Sequence, residues 1–549
     1  MIYDRPRFSV LAGEVLHIEV GDEISLPCSA KVRNLSAALS ALEGVSEVTP
    51  AYGSLAARVD TMSTKMASVI RAAERAWARR TAGESEGKLV KVPVCYEGAF
   101  APDLDWVAQK AGLKTEEVVA LHSSKEYTCM MMGFSPGFVY LDEVDPRIRA
   151  DRLESPRTKV PAGSVGVAGA QTGIYGLETP GGWRLVGRTP LTMFNPRASP
   201  PTPIAPGDRV KFEPVSSDEF KFIRKASPPW APPAAGIPAL EVRQPGLFAT
   251  LQDMRRPSFR HLGVPCSGGL DLVSQLQSNY VVGNPGRSPV IEVMGGFFGI
   301  KALVDVVVAV TGPDCELTVS GEKAETYSPL LLGEGVELSI GRTAGLLNYV
   351  AVAGELVADN VMGSCSTYSR GGFGGYSGRS FKANDVLSVE GLSDHVLMRS
   401  VPLERRTEFT DAKPVKAVRS TLHDGGPAMG DSIFDQEFTV SESSDRTGYR
   451  LKRAGRAPGA TGQVLTYPTF PGYVQIPPDG SPIVLQQDCP TTGGYQLAAA
   501  MMPSEMGRFS QLKPGSKVRF EEVDQEAAAK LSIGFRKALQ GYASRGPGL

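Results

Sequence analysis

The first ninety residues switch between two hydrophobic periods. Phe8–Leu11, Leu16–Val20 and Tyr52–Val59 have the length and apolar density of strands. Asn34–Leu42 and Ser63–Arg80 space their apolar residues as helices do, the latter with Met66, Val69, Ile70 and Ala73 on one face. This pattern predicts a small α+β unit over residues 1–90. From Lys91 the texture changes. KVPVCYEG reads as a strand ending in a turn, and Asp103–Ala111 and Thr115–Ser123 read as short helices. Asp103 is placed to cap the first, and Thr115, Glu116 and Glu117 open the second. Short strands and glycine turns follow to about Val215, giving a unit over 91–224.

The prolines of KASPPWAPPAAGIP, Lys225–Pro238, block helix and central strand and predict an extended spacer. Beyond it, Leu240–Arg243, Val306–Val310, Val336–Ile340, Leu346–Ala353 and Val484–Gln487 read as strands, and Asp271–Val282 reads as a helix. A looser stretch at Glu404–Val418 divides this segment into units 239–403 and 404–549. Asp524–Leu539 has helical composition, and the final GYASRGPGL is expected to fray. APGDRVKFEPV at Ala205–Val215 and KPGSKVRFEEV at Lys513–Val523 end the two segments alike, which predicts related barrel-like units in tandem.

Composition sharpens this picture. Sixty glycines and 42 prolines, spread between the apolar runs, predict many short strands and a mainly β chain. A length of 549 residues exceeds what one core serves. A net charge of −1 gives no reason to expect nucleic acid or an anionic membrane surface as partner. No apolar stretch is long enough to span a membrane, and MIYDRPRFSVLAG lacks the pattern of a secretory signal. Seven cysteines without CxxC spacing suit a reducing cytoplasm rather than disulfides or zinc. The histidines His17, His122, His261, His395 and His423 are not paired at metal-ligand spacing, so no metal is expected. Phosphate-loop, dinucleotide-binding, HExxH and GxSxG motifs are absent.

Four stretches could carry chemistry. Gly133-Phe134-Ser135-Pro136-Gly137-Phe138 is a rigid loop that could offer backbone N–H groups to a carboxylate or planar amide, or could be a structural turn with core aromatics. VPAGSVGVAGAQTGIYGLETPGGWRLVGRTP sets Ser164, Gln171, Thr172 and Tyr175 among glycines that allow close approach of a ligand. Gly363–Arg379 has the composition of an anion-binding nest, or equally of a surface loop. SDRTGYRL supplies Asp445, Arg446, Tyr449 and Arg450, and the stretch around Val484 supplies Asp488, Thr491, Thr492 and Tyr495. A carboxylate at the strand end, Asp488, with an arginine from a neighbouring strand could clamp an amide or move a proton, or form a structural pair.

GFSPGFVYL, VPAGSVGVAGAQTGIY and PGGWRLVGRTP resemble the allophanate hydrolase subunit 1 family, which includes the B subunit of 5-oxoprolinase. VRQPGLFATLQD, LGVPCSGGLD, GSCSTYSRGGFGGYSGR, SDRTGYRL and VQIPPDGSPIVLQQD resemble the subunit 2 family, which includes the C subunit of 5-oxoprolinase. Together the two likenesses cover nearly all of 1–224 and then 240–523. The resemblance implies tandem cyclophilin-like β-barrel domains and a site shared between the halves, as in the carboxyltransferase domain of urea carboxylase. It implies catalytic roles for Asp488, Arg450 and Tyr175, with His122 as a secondary candidate. By the same resemblance Asn279 and Gln171 would hold an amide, beside Thr172, Ser164, Gly133, Phe134, Pro136, Gly137, Thr491, Thr492 and Tyr495. Departures occur at Arg255 and Pro490, where the families carry glycine and glutamine, and at Gly176, where they carry proline.

The expected function is that of a component of an ATP-dependent 5-oxoprolinase, opening 5-oxoproline to glutamate with a separate A subunit. ATP would act in the assembled complex, and a homo-oligomer is compatible with this. Two alternatives stand beside it. One is a carboxyltransferase component for urea or a related amide, served by a separate biotin carboxylase or carrier, since this chain has no Met-Lys-Met biotin acceptor. The other is a regulatory binding protein of the kinase-inhibitor type.

Overall fold

The computed structural model describes residues 1–79, 87–223, 235–256, 258–392, 399–407, 409–422, 433–453 and 464–543. The N-terminal unit is a four-stranded antiparallel sheet in the order Ile2–Leu11, Val15–Gly21, Ser54–Val59, Val45–Pro50. Strand alternation gives it two apolar faces. Leu16, Ile18, Leu55 and Ala57 pack under the helices Leu26–Ser40 and Met66–Ala78. Leu11, Val15 and Ala56 point the other way, onto Tyr467, Phe470 and Tyr473 of the second half. The first helix begins at Leu26 instead of Asn34, because Ser25 caps the Cys28 N–H and Pro27 suits the first turn.

A closed seven-stranded barrel follows, containing Leu89–Cys95, Glu126–Met132, Val139–Glu143, Ser164–Ala168, Gln171–Ile174, Arg184–Arg188 and Arg209–Val215. Asp103 precedes the helix Leu104–Ala111 but does not cap it with its side chain. Its carboxylate instead accepts from the Leu185 N–H at 2.6 Å and from Arg157 Nη2 at 2.8 Å, tying the helix start to the barrel. The next helix, Thr115–Ser124, opens with Glu117 accepting from the Lys114 N–H at 2.8 Å.

The expected barrel-like unit over 239–403 is built as two facing sheets of seven and five strands. Leu240, Val242, Ile300 and Leu338 from one sheet meet Leu251, Ile291, Val308 and Val350 from the other. The helix Leu272–Val282, capped by Asp271, covers the outer face of the five-stranded sheet. Seven strands between Val415 and Glu522 close a second barrel. In both barrels the last strand pairs parallel with the first: Arg209–Val215 with Leu89–Cys95, and Lys517–Glu522 with Val415–Arg419. The two Pro-Gly endings therefore perform one structural task twice.

The helix Gln525–Ala543 returns to the N-terminal unit, where Ser532 Oγ donates to the Ala12 carbonyl at 2.9 Å. This helix includes the start of the tail expected to fray, and 544–549 lie outside the described residues. So do His395, His423 and most of the proline-rich spacer, of which Ile237 and Pro238 already belong to the strand Ile237–Pro245. No helix of the described residues is long and apolar enough to cross a membrane.

Candidate functional site

The two halves meet along a seam made by four loops. The first is Gly133–Phe138. Phe134, at φ 63°, donates its N–H to Thr492 Oγ1 at 2.9 Å, and the Gly137 N–H donates to the Leu262 carbonyl at 2.9 Å. The Gly133 and Ser135 N–H groups bond within the loop. Gly133 lies so near Thr492 that a Cβ there would sit 2.4 Å from Oγ1. The Pro136 carbonyl lies against Gly176, where an added Cβ would be 2.1 Å from it. The N–H groups of Gly133, Phe134 and Gly137, expected to face substrate, are already committed, those of Phe134 and Gly137 to the other half, while Pro136, which has no N–H, packs its carbonyl against Gly176 of its own half.

The second and third loops are Arg260–Gly269 and the nest-like 363–379. Asp253 anchors the latter, accepting from Ser364 Oγ at 2.6 Å, from Ser366 Oγ and from the Cys365 N–H at 2.6 Å. Asp359 accepts from the Gly374 N–H at 3.3 Å, and the N–H groups of Tyr368, Gly371 and Gly378 bond to nearby carbonyls. These committed amides do not fit a phosphate. Arg256, 2% exposed, crosses behind the loop. Its Nε donates to the Val361 carbonyl and its Nη2 to the Ser366 carbonyl, each at 2.9 Å, while Nη1 is without a partner among the described residues. Burial lowers its pKa, with Asp253 and Asp488 opposing that shift.

The fourth loop, 486–492, carries Asp488, which is buried. The antiparallel register pairs Gly448 with Leu485 and Arg450 with Ile483. The turn before Gly448 therefore brings Arg446 beside Asp488: the Asp488 N–H donates to the Arg446 carbonyl, and Arg446 Nε to Asp488 Oδ2, each at 2.9 Å. Arg446 also donates to Glu292 Oε1 and, at 2.7 Å, to the Gly268 carbonyl. Glu292 Oε2 is held by the Leu270 N–H at 2.8 Å and the Tyr349 hydroxyl at 2.7 Å. Burial works to lower the Arg446 pKa, but Asp488 and Glu292 raise it, so the guanidinium stays charged. Asp488 Oδ1, Ser267 Oγ, Thr491 Oγ1 and Ser135 Oγ are buried on this seam without protein partners among the described residues. Buried polar atoms of this kind call for water or ligand.

Several expected site residues lie elsewhere. Arg450 is exposed on the outer face of its strand, so it is not the cation that meets Asp488. Asn279 is fully buried in its helix, its Nδ2 donating to the Ser288 carbonyl at 2.8 Å and its Oδ1 accepting from Asn284 at 3.2 Å. Both ends of that amide are thus in structural use. Gln171 donates to the Tyr52 hydroxyl at 2.6 Å, toward the N-terminal unit. Tyr175 is buried with Phe138 and Trp183, and burial pushes its hydroxyl up to about 12. The Ser164 carbonyl accepts from the Tyr175 N–H at 2.9 Å within the first barrel. Tyr495 is exposed, with its carbonyl taken by the Tyr467 hydroxyl.

His122 is buried in the first barrel, stacked 4.7 Å from Phe212. Its Nδ1 lies 2.8 Å from the Tyr96 hydroxyl and its Nε2 lies 2.9 Å from Thr172 Oγ1. Thr172 donates its own proton to the Gly166 carbonyl, so it accepts from Nε2, and the imidazole is the neutral Nε2–H form. Burial pushes His122 down to about 3, and its two ring nitrogens and the Thr172 hydroxyl are bonded inside the first barrel. Arg446, one of the two arginines of SDRTGYRL, and Arg256, next to the departure at Arg255, are the cations that the fold brings to this seam.

Residues 6–204 match the family model "Carboxyltransferase domain, subdomain C and D", and residues 262–522 match "Carboxyltransferase domain, subdomain A and B". Over 236 residues the chain is 38% identical to the B subunit of 5-oxoprolinase from Bacillus subtilis (strain 168), covering 41% of this chain and 98% of that protein. Over 293 residues it is 31% identical to the C subunit of 5-oxoprolinase from Escherichia coli (strain K12), covering 53% of this chain and 93% of that protein. The crystal structure of TTHA0988 superposes with a TM-score of 0.81 at 32% identity, covering 92% of this chain and 99% of that one. The chain therefore belongs to the carboxyltransferase domain family, and its two halves, joined in one polypeptide, are like the B and C subunits of 5-oxoprolinase.

Proposed function

We propose that this chain is the fused B and C component of a cytoplasmic, ATP-dependent 5-oxoprolinase, opening 5-oxoproline to glutamate with a separate A subunit. The observation that carries this reading is a pair of groups on the seam without partners among the described residues: Asp488 Oδ1, an acceptor, and Arg256 Nη1, a donor. A lactam presents the complementary N–H and C=O. Arg446 fixes Asp488 through Oδ2, which leaves Oδ1 to receive a proton from the attacking water or return one to the departing nitrogen. Arg256 would steady the carbonyl oxygen as charge develops on it. ATP would supply the driving force for ring opening in the assembled complex.

The test mixes the purified chain with a protein of the A-subunit type, ATP and 5-oxoproline, and measures glutamate. Glutamate is expected only from the mixture, with Asp488→Asn folding normally and lowering kcat by about 10²–10³-fold. Robust turnover by the chain alone would remove the partner requirement. The two carboxyltransferase models favour a second reading, carboxyl transfer to urea or a related amide from a separate biotin protein. Carboxylated urea formed with a carboxybiotin donor, in place of glutamate, would select it.

A further inference from the structure

A second polar cluster lies where the N-terminal sheet, the C-terminal helix and the loop after Gln252 meet. Glu14 is buried there, and both its oxygens are engaged: Oε2 accepts from Arg536 Nη2 at 2.8 Å, and Oε1 faces Arg58 Nε at 3.8 Å. Arg536 donates again to Asp60 at 2.7 Å. A separation of 3.8 Å exceeds a hydrogen bond, so the buried Arg58 Nε–H has no acceptor among the described residues. Arg255 is an electrostatic neighbour of Glu14, Arg58 and Arg536, yet makes no hydrogen bond among the described residues.

Arg58 lies 5.3 Å from the centre of the Phe470 ring, and Arg260 lies 5.0 Å from the same centre. Arg260 is 1% exposed. Its Nη2 reaches the Thr469 and Pro490 carbonyls, but its Nε and Nη1 have no acceptor among the described residues. The Tyr473 hydroxyl, buried beside Arg58 and Arg260, also has no partner among the described residues. Four arginines here face three carboxylates, Glu14, Asp60 and Glu47, which leaves one surplus positive charge. Buried guanidinium donors in native proteins are normally matched, and two arginines, Arg58 and Arg260, with unmatched donors around one ring point to a missing acceptor.

We propose that Arg58 and Arg260, with Arg255 beside them, bind a small oxyanion, a phosphate or a carboxylate, on forked guanidinium donors. Arg255 is exposed and gives the anion its way in. Arg58 and Arg260 supply donors already stripped of water, and such charge-assisted bonds are the strong ones. These three arginines involve neither Asp488 nor Arg256, so the proposal stands apart from the amide-processing reading.

The test uses the full chain, with calorimetric titration and thermal unfolding in sodium phosphate, sodium acetate or sodium chloride at equal ionic strength. Phosphate or acetate is expected to bind saturably and raise Tm, as a ligand of the native state does, while chloride does neither. Arg255→Ala should weaken that binding about tenfold or more, and Arg255→Lys should recover part of it. The stronger of the two anions identifies the ligand as phosphoryl or carboxylate. Equal stabilisation by chloride, no saturable binding of either oxyanion, or unchanged affinity in a folded Arg255→Ala would overturn the proposal. If Arg255→Ala fails to fold by circular dichroism, the affinity of Arg255→Lys decides in its place.

Discussion

Arg446 and Arg450 belong to one short motif, and the barrel gives them opposite surroundings. The alternation of Gly448–Arg453 turns Arg450 to solvent, while the turn before it carries Arg446 between Glu292 and Asp488. Replacing Arg446 with Met would leave two buried carboxylates facing each other without their cation. Breaking a buried pair in this way costs about 3–5 kcal/mol, so the unfolding midpoint should fall sharply. Arg450→Lys should change stability by no more than about 0.5 kcal/mol and leave activity intact, and thermal unfolding with turnover distinguishes the two positions. His122 gives a pH test. Its pKa is about 3 in the fold against an ordinary 6.5, so between these values the unfolded chain takes up a proton that the native chain refuses. Stability therefore falls as pH drops below 6.5, by roughly 1.4 kcal/mol per pH unit from this residue, and the loss ends near pH 3. His122→Gln should flatten the slope of Tm against pH between 4 and 6, and an unchanged slope would assign the effect to other groups.

At the scale of elements, Gly263 shows how closely the halves are fitted. It has φ +81°, and a Cβ there would lie 2.2 Å from the Ser135 carbonyl of the other half. Gly263→Ala should therefore combine a left-handed backbone penalty with displacement of the Gly133–Phe138 loop, for a loss of at least about 2 kcal/mol. Gly112 is the control: φ is +66°, but nothing lies within 4 Å, so Gly112→Ala carries only the backbone term. Equal losses in both variants, measured by thermal unfolding, would show that the loop yields freely. Such fits explain what the sequence could and could not show. Hydrophobic period revealed the N-terminal helix Met66–Ala78, and the repeated Pro-Gly endings revealed the paired barrels. The glycine loop at 133–138 was visible as rigid, but its docking depends on Leu262 and Thr492, more than a hundred residues away. Likewise Asp488 was legible as a strand-end carboxylate, whereas its arginine depended on a register that composition does not encode.

For the whole molecule, the question is what holds the two segments together once the spacer between them is cut. Leu262, Val264, Val361, Tyr368 and Phe373 of the second segment are buried in the same core as Val139, Phe194 and Phe212 of the first barrel. The N-terminal sheet presses Leu11, Val15 and Ala56 against Tyr467, Phe470 and Tyr473, and the C-terminal helix reaches back to Glu14, Asp60 and Ala12. Most of this contact is apolar burial, which salt does not screen, with the ion pairs of Arg536 adding a minor share. A protease site placed within 225–234 should therefore yield two fragments that copurify through size exclusion, in 1 M sodium chloride as well as in low salt. Val264→Asp would bury a charge in the shared apolar core and should release the fragments after cleavage. Fragments that separate at high salt but not at low salt would show that charge, and not apolar packing, joins the halves. Fragments that separate under both conditions, each retaining glutamate formation with the A-like partner, would contradict a site built across the seam.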